Sequence, residues 1–392
     1  GGVEVVGGER RMSHSWPVVR LGEVLAHRKD FILIDDSTEY VRPKVQLHAQ
    51  GVVLRDRVCG SDIKTKRQQV CEVGQFLVAE IDAKAGGFGL VPPDLHGAIV
   101  SSHYFLYDLN SKIVDSSFFA CFVRTAGFRS QVMAQGSTNY AAIRPGDVMG
   151  YSMPLPPLEE QRRIVSRIEE VATRVYAVRK LQNEQANTFG QALHARFSQI
   201  IEGATMRRMS EIAPQVRRSI EIDLDGSYPE LGLRSFGKGT FHKPSLTGIE
   251  LGDKRVFQIE PGDLVFSNVF AWEGAIAVAR PEDAGRVGSH RYITCVVNPQ
   301  FALADFLCFY FLTPQGLEKI RAGSPGGAGR NRTLGLTALD NIEVPVPPLD
   351  VQSDFCALLR LERDVRTAKF RIDAELVSLL PSILDQAFRG EL

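Results

Sequence analysis

The stretch PLPPLEEQ at residues 154–161 returns as PVPPLDVQ at residues 345–352, an offset of 191 residues. The same offset carries Leu193 onto Leu384 and Phe197 onto Phe388, so nothing is gained or lost in the segment behind either phrase. Upstream the offset slips only slightly. EVGQFL at 72–77 answers EPGDLV at 260–265, 188 residues on, and Ser102-His103 answers Ser289-His290 at 187. The chain is two full-length copies of one unit, read head to tail, with small loop changes.

Behind each phrase the pattern is helical. Pro154, Pro156 and Pro157 stop the preceding strand, and Glu159 and Glu160 fall in a first turn, where the helix dipole favours acids. From Leu158 onward Ile164, Ile168, Val171, Val175 and Val178 alternate four and three apart, the heptad seam of a packed long helix. The second copy offers Leu358, Leu361, Val365, Ala368, Ile372, Leu376, Leu379 and Ile383, with the seam rotated where Glu362, Arg366 and Lys369 replace valines of the first. Gly190 and Pro381 correspond and predict a kink or break. Up to that point each helix is about 45 Å long at ~1.5 Å per residue. Two such helices bury their stripes most simply against one another, antiparallel.

Ahead of each helix lies a globular unit of roughly 140 residues, typical of one domain. Short elements open each copy at 18–25 and 206–213. Apolar runs at 76–81, 98–100, 264–266 and 292–297 read as strands, and 116–125 and 303–312 as helices. The fold class is α+β: two mixed domains joined by two long antiparallel helices. The boundaries expected are a disordered extension at 1–12, domains at 13–156 and 205–347, and helices at 157–204 and 348–392.

Composition excludes several classes. The 392 residues are 44% apolar, enough for two cores. The longest apolar stretch, 301–312, is interrupted by Asp305 and falls short of the ~20 residues that span a bilayer, so a soluble cytoplasmic protein is expected. Six cysteines without CxxC spacing, and no histidine pair at ligand spacing, predict neither a disulfide framework nor a zinc site. Net charge is zero, which argues against non-specific coating of nucleic acid but leaves local clusters: Lys64, Lys66 and Arg67, and Arg330-Asn331-Arg332 after a glycine run.

Together the duplicated phrases, the long segment behind each, the closing LLPSILDQAFRGEL at 379–392 and AEIDAKAGGFG at 79–89 resemble the specificity (S) subunit of type I restriction-modification enzymes, over nearly the whole chain from Ser13. The resemblance implies that each globular unit is a target recognition domain reading one half of a bipartite duplex DNA sequence, with the helices fixing the spacing between halves. It implies two modification subunits, which bind S-adenosylmethionine and methylate adenine, and two motor-nuclease subunits that use ATP and Mg. No cofactor is expected in this chain.

A base reader needs planar donors and acceptors on loops that enter a groove. In the first copy Lys84 precedes a Gly-rich turn, His103 ends the approach to a strand, and Asn139 and Tyr140 lie in a polar loop. The counterparts are Trp272, His290 with Arg291, and Arg330, Asn331 and Arg332, whose side chains suit guanine and adenine edges. Two identical modification subunits need two equivalent docking sites, so Leu158, Glu160 and Gln161, with Leu349 and Gln352, are the partner-facing candidates. His103, His290 and Trp272 read equally well as fold-supporting side chains.

Motifs for catalysis are missing. Pro92-Pro93 runs into Asp94 rather than an aromatic residue, the 323–329 glycines lack a following Gly-Lys-Ser/Thr, and Asp82-Ala-Lys84 has no second acid at nuclease spacing. A non-catalytic reader is expected. A subunit of a methylation-only or related defence system without nuclease, and a scaffold that reads nothing, remain as alternatives.

Overall fold

The computed structural model describes residues 16–134, 142–326 and 332–391. The expected extension at 1–12, and Asn139, Tyr140, Arg330 and Asn331, lie outside the described residues. The chain forms two compact units: residues up to Leu181 together with those from Phe370 on, and Gln182–Lys369. Each long helix is therefore shared between them.

Both units are built on one antiparallel four-stranded sheet of the same order. In the first it runs Leu25–Arg28, Tyr104–Leu109, Phe76–Ala79, Phe88–Leu90; in the second, Gln215–Val216, Tyr292–Cys295, Leu264–Ser267, Ile276–Val278. The central strands, FLVA and LVFS, are buried at all four positions. They read as continuous apolar runs because side chains pack on both faces. The ladders place Tyr104 opposite Ala79 and Tyr292 opposite Ser267, so the copies superimpose at an offset of 188 here. Arg291, not His290, therefore stands where His103 does. The His-to-His match at 187 is off by one, because identical letters one position apart mislead where only the ladder fixes register.

A short strand opens each copy and pairs antiparallel with the one leading into the long helix: Val18–Arg20 with Ser152–Pro154, and Thr205–Arg208 with Glu343–Val346. Each copy also carries a hairpin, Glu39–Gln46 with Gly51–Cys59 and Ser227–Leu233 with Thr240–Thr247. Against each sheet packs an aromatic core. In the first unit Phe76, Phe88, Phe119, Phe122 and Phe128 cluster with ring centres 5.0–6.5 Å apart. In the second, Phe197 of the first long helix meets Phe306, Phe309 and Phe355 at 4.8–5.0 Å.

The long helices are Leu158–Ile201 and Leu349–Phe388, of 44 and 40 residues, about 66 and 60 Å. Neither is broken where expected. The first runs through Gly190, a residue that costs only about 1 kcal/mol in a helix. The second runs through Pro381, whose missing N–H leaves the carbonyl of Val377, an exposed residue, to water. Within each unit the two helical stretches are antiparallel partners. In the second, Lys369 Nζ donates to Asn183 Oδ1 at 2.6 Å while Phe355 packs on Phe197. In the first, Ile164 and Ile168 pack with Leu384 and Ala387.

The expected seam holds only in part. Ile164, Ile168 and Val175 are buried, but Val178, Leu361, Val365 and Ile372 are 41–51% exposed. In the second helix the inward positions include Phe355, Cys356 and Leu359, which face the domain core rather than the heptad stripe. Packing against a domain won over periodicity.

Burial pushes the Cys71, Cys295 and Cys308 thiols up to about 12, holding them protonated. Among the described residues no helix is long and apolar enough to cross a membrane, and no group of three His, Cys, Asp or Glu is placed to hold a metal ion.

Candidate nucleic-acid interface

In each unit the central strand, Phe76–Ala79 or Leu264–Ser267, leads into a 3₁₀ turn closed by a left-handed glycine. Lys84 sits in Ala83–Ala85, closed by Gly86 at φ 84°, and Trp272 in Ala271–Glu273, closed by Gly274 at φ 79°. The hairpin tip rests on this turn in both. His48 and Ala49 donate backbone N–H groups to Ala85 and Gly86, and Phe236 and Gly237 donate to Glu273 and Gly274. Tip residues His48, Ala49 and Phe236 have φ of 59°, 56° and 62°, uncommon for side-chain-bearing residues. A turn and a hairpin tip thus form one rim in each unit.

Among the described residues, His103, Arg291 and Arg332 join this rim. The backbone N–H of Glu80 donates to the His103 carbonyl, and that of Asn268 to the Arg291 carbonyl. His103 is exposed, its Nδ1 2.7 Å from Glu80 Oε2. Trp272 donates its indole N–H to the Val269 carbonyl at 2.9 Å, and the Arg332 guanidinium lies over its ring, 5.2 Å from the centre. The structure therefore brings together Trp272 and Arg332, 60 residues apart in sequence. Behind the rim, burial pushes the Tyr104 and Tyr292 phenols above their ordinary range, aided at Tyr104 by Asp82 and opposed at Tyr292 by a backbone hydrogen bond to Leu233, so both are neutral hydrogen-bonding groups.

In the second unit three clefts flank His290. One of about 660 Å³ is lined by Asn268, Val269, Phe270, His290, Arg291 and Thr333. Its neighbours add Arg217, Asp253, Lys254 and Arg255, and Glu230, Phe241 and Lys243. Cations outnumber carboxylates here, the electrostatics a phosphate backbone requires. Lys243, Lys254 and Arg255 escaped the sequence reading; only the Lys254-Arg255 pair after Gly252 offered a signal, and the fold was needed to set it beside His290. In the first unit Lys66 bonds Asp36 and the Gly60 carbonyl, and Arg67 stacks over Phe31 at 4.3 Å, so among the described residues only Lys64 of that cluster stands free.

The residues expected to face a partner divide differently. Gln161 and Gln352 are fully buried. Gln161 donates to the carbonyls of Ile113 and Pro156 and accepts from the Asp115 N–H; Gln352 donates to Phe301 and Pro347 and accepts from Leu303. These glutamines clamp each long helix to its own domain, and nothing of them is left for docking. Leu349 is exposed and Leu158 half-buried, while Glu160 pairs with Arg163 at 2.7 Å.

A duplicated α+β unit whose sheet feeds a long helix, with each helix shared by both units, defines a two-domain, two-helix fold. It is the fold of type I restriction-modification specificity subunits. The HsdS subunit from Thermoanaerobacter tengcongensis matches at TM-score 0.61 with 22% identity, over 98% of this chain and 99% of that one. A chain from a structure describing complex assembly and conformational transition of the type I R-M system matches at TM-score 0.70 with 22% identity, over 98% and 100%. No protein-family model matches the chain. Nor does any curated protein.

Proposed function

We propose that this chain is the DNA sequence-specificity subunit of a type I restriction-modification complex, itself without catalytic activity. Each unit reads one half of a bipartite target through its rim of turn and hairpin tip. The helices set the gap between halves and, with Leu158, Glu160 and Leu349, offer two docking sites to two modification subunits. Two motor-nuclease subunits complete the assembly in the cytoplasm, and S-adenosylmethionine, ATP and Mg are bound by those partners. The observation that carries this reading is the duplication: two equivalent domain-and-helix units in one chain, each presenting different side chains on the same rim.

The test is to co-express the chain with the modification subunit encoded beside it and to sequence the modified adenines. The expected result is two short half-sites separated by a fixed gap, with two modification subunits per chain by native mass spectrometry. One uninterrupted motif, or none, would overturn it. Modification with no nuclease gene in the source would place the chain in a methylation-only system.

A further inference from the structure

The Gln352 clamp joins the second domain to the start of its helix, and Phe197, Phe306 and Phe355 pack close by. Three turns further along, about 16 Å on the helix axis, Arg363 reaches back to the domain. There Asp305, in the first turn of Ala304–Leu312, receives two guanidinium groups. Arg280 binds it in bidentate fashion at 2.6 and 3.2 Å, and Arg363 lies at 3.4 and 3.5 Å. Burial would raise this carboxyl, yet Arg280, with Arg363 behind it, holds it below its ordinary value. Beside the triad lies a cavity of about 600 Å³, lined by Lys238, Leu193 and Phe309 as well as the triad. Leu193, Phe355 and Leu359 already make apolar contact between helix and domain, and the ion pairs add a directional restraint to it.

Among the described residues of the first unit nothing equivalent exists. The backbone bonds of Gly74 and Gly262, to Val91 and Ala279, set Pro92 at the place of Arg280. The two glutamine clamps set Ser117 at that of Asp305 and Ala172 at that of Arg363. The apolar contact is common to both units, Phe118 with Ile164, Ile168 and Leu384 answering Phe306 with Phe355, Leu359 and Leu193, so the ion pairs are what the second unit adds.

We propose that Arg280, Asp305 and Arg363 are positioning residues, a latch that holds the second recognition domain at one angle on its helix and so narrows the gap between half-sites that the subunit accepts. This rests on the function proposed above. Shared charge suits a latch, since such pairs add little net stability but are demanding about geometry.

The test uses the chain co-expressed with its modification subunit and a plasmid library carrying both half-sites at the native gap and at gaps one base pair shorter or longer. Asp305→Asn should raise modification of the altered gaps, relative to the native one, by about five-fold, with both half-site sequences unchanged. Ser117→Ala should leave the gap profile alone. Should the Asp305→Asn complex fail to assemble, Arg363→Met, which keeps the Arg280 pair, gives the same readout. An unchanged gap profile in the assembling variant overturns the latch alone, whereas wild-type complex that modifies no gapped sequence overturns the function reading and the latch with it.

Discussion

Gln161 and Gln352 make the same three hydrogen bonds in the two units, whereas Lys84 and Trp272, equally equivalent by position, share only the turn that carries them. Where the copies agree, the side chains are turned inward and hold the frame. At Lys84 and Trp272 they differ, on a turn at the rim. Duplication followed by divergence leaves this contrast if the frame has one job and the rims have two targets.

The largest effect should separate the units by their cores. Phe197→Ala removes a fully buried ring that meets four others, Phe306, Phe309, Tyr310 and Phe355, and should cost the second unit about 3–5 kcal/mol. Its counterpart Phe388 is only partly buried, against Phe118 and Phe122, so Phe388→Ala should cost the first unit distinctly less. Hydrogen exchange resolved by unit measures both, and equal losses would break the contrast. Next come the clamps. Gln161→Ala and Gln352→Ala each strand an N–H and two carbonyls at buried sites, about 2–4 kcal/mol by denaturant titration, and alike because the bonds are alike. Unequal losses would show that the frame is not shared.

Rim substitutions should act on specificity rather than stability. Lys84→Ala should weaken one half-site and Arg332→Ala the other, by ~1–3 kcal/mol each, measured by binding of duplexes altered in one half at a time. Both acting on the same half would refute the division of labour. Smallest is a pH effect confined to the first unit. Burial first, and the Lys29 charge second, hold the His27 imidazole below its ordinary 6.5. Its contribution is therefore present above pH 6.5 and lost as pH falls through the lower folded value. Gln215 stands at that ladder position in the second unit. His27→Gln should remove the part of the acid-side loss in the first unit's melting temperature that sets in just below pH 6.5.

The sequence shows the repeat, the two long helices and the strand runs clearly, because repetition and periodicity are written in adjacent letters. It misplaces what depends on three dimensions. Gln161 and Gln352 recur in the most visible motif and so look like a docking surface, but a repeat marks a shared environment without saying whether that environment is inside or out. Leu361, Val365 and Ile372 obey a heptad, yet the domain beside the helix captures Phe355 and Leu359 instead. Of the rim, Lys84, Trp272, His103, Arg291 and Arg332 are legible from loop position. Lys243 and Lys254 are not, since only the fold brings them beside His290.

If the rims read DNA as proposed, that of the first unit limits how a specificity can be transplanted. A Cβ at Gly86 would lie 2.8 Å from the backbone nitrogen of His48 and 2.7 Å from that of Ala49. Turn and hairpin tip are therefore one cassette, though far apart in the chain. A chimera that exchanges the hairpin but keeps a foreign turn lacking this glycine would push the tip off its seat, so grafting boundaries belong outside both segments. In the second unit the nearest atoms to a Cβ at Gly274 lie 3.3–3.5 Å away. The junction there is looser, and the second unit is the more forgiving recipient for a borrowed loop.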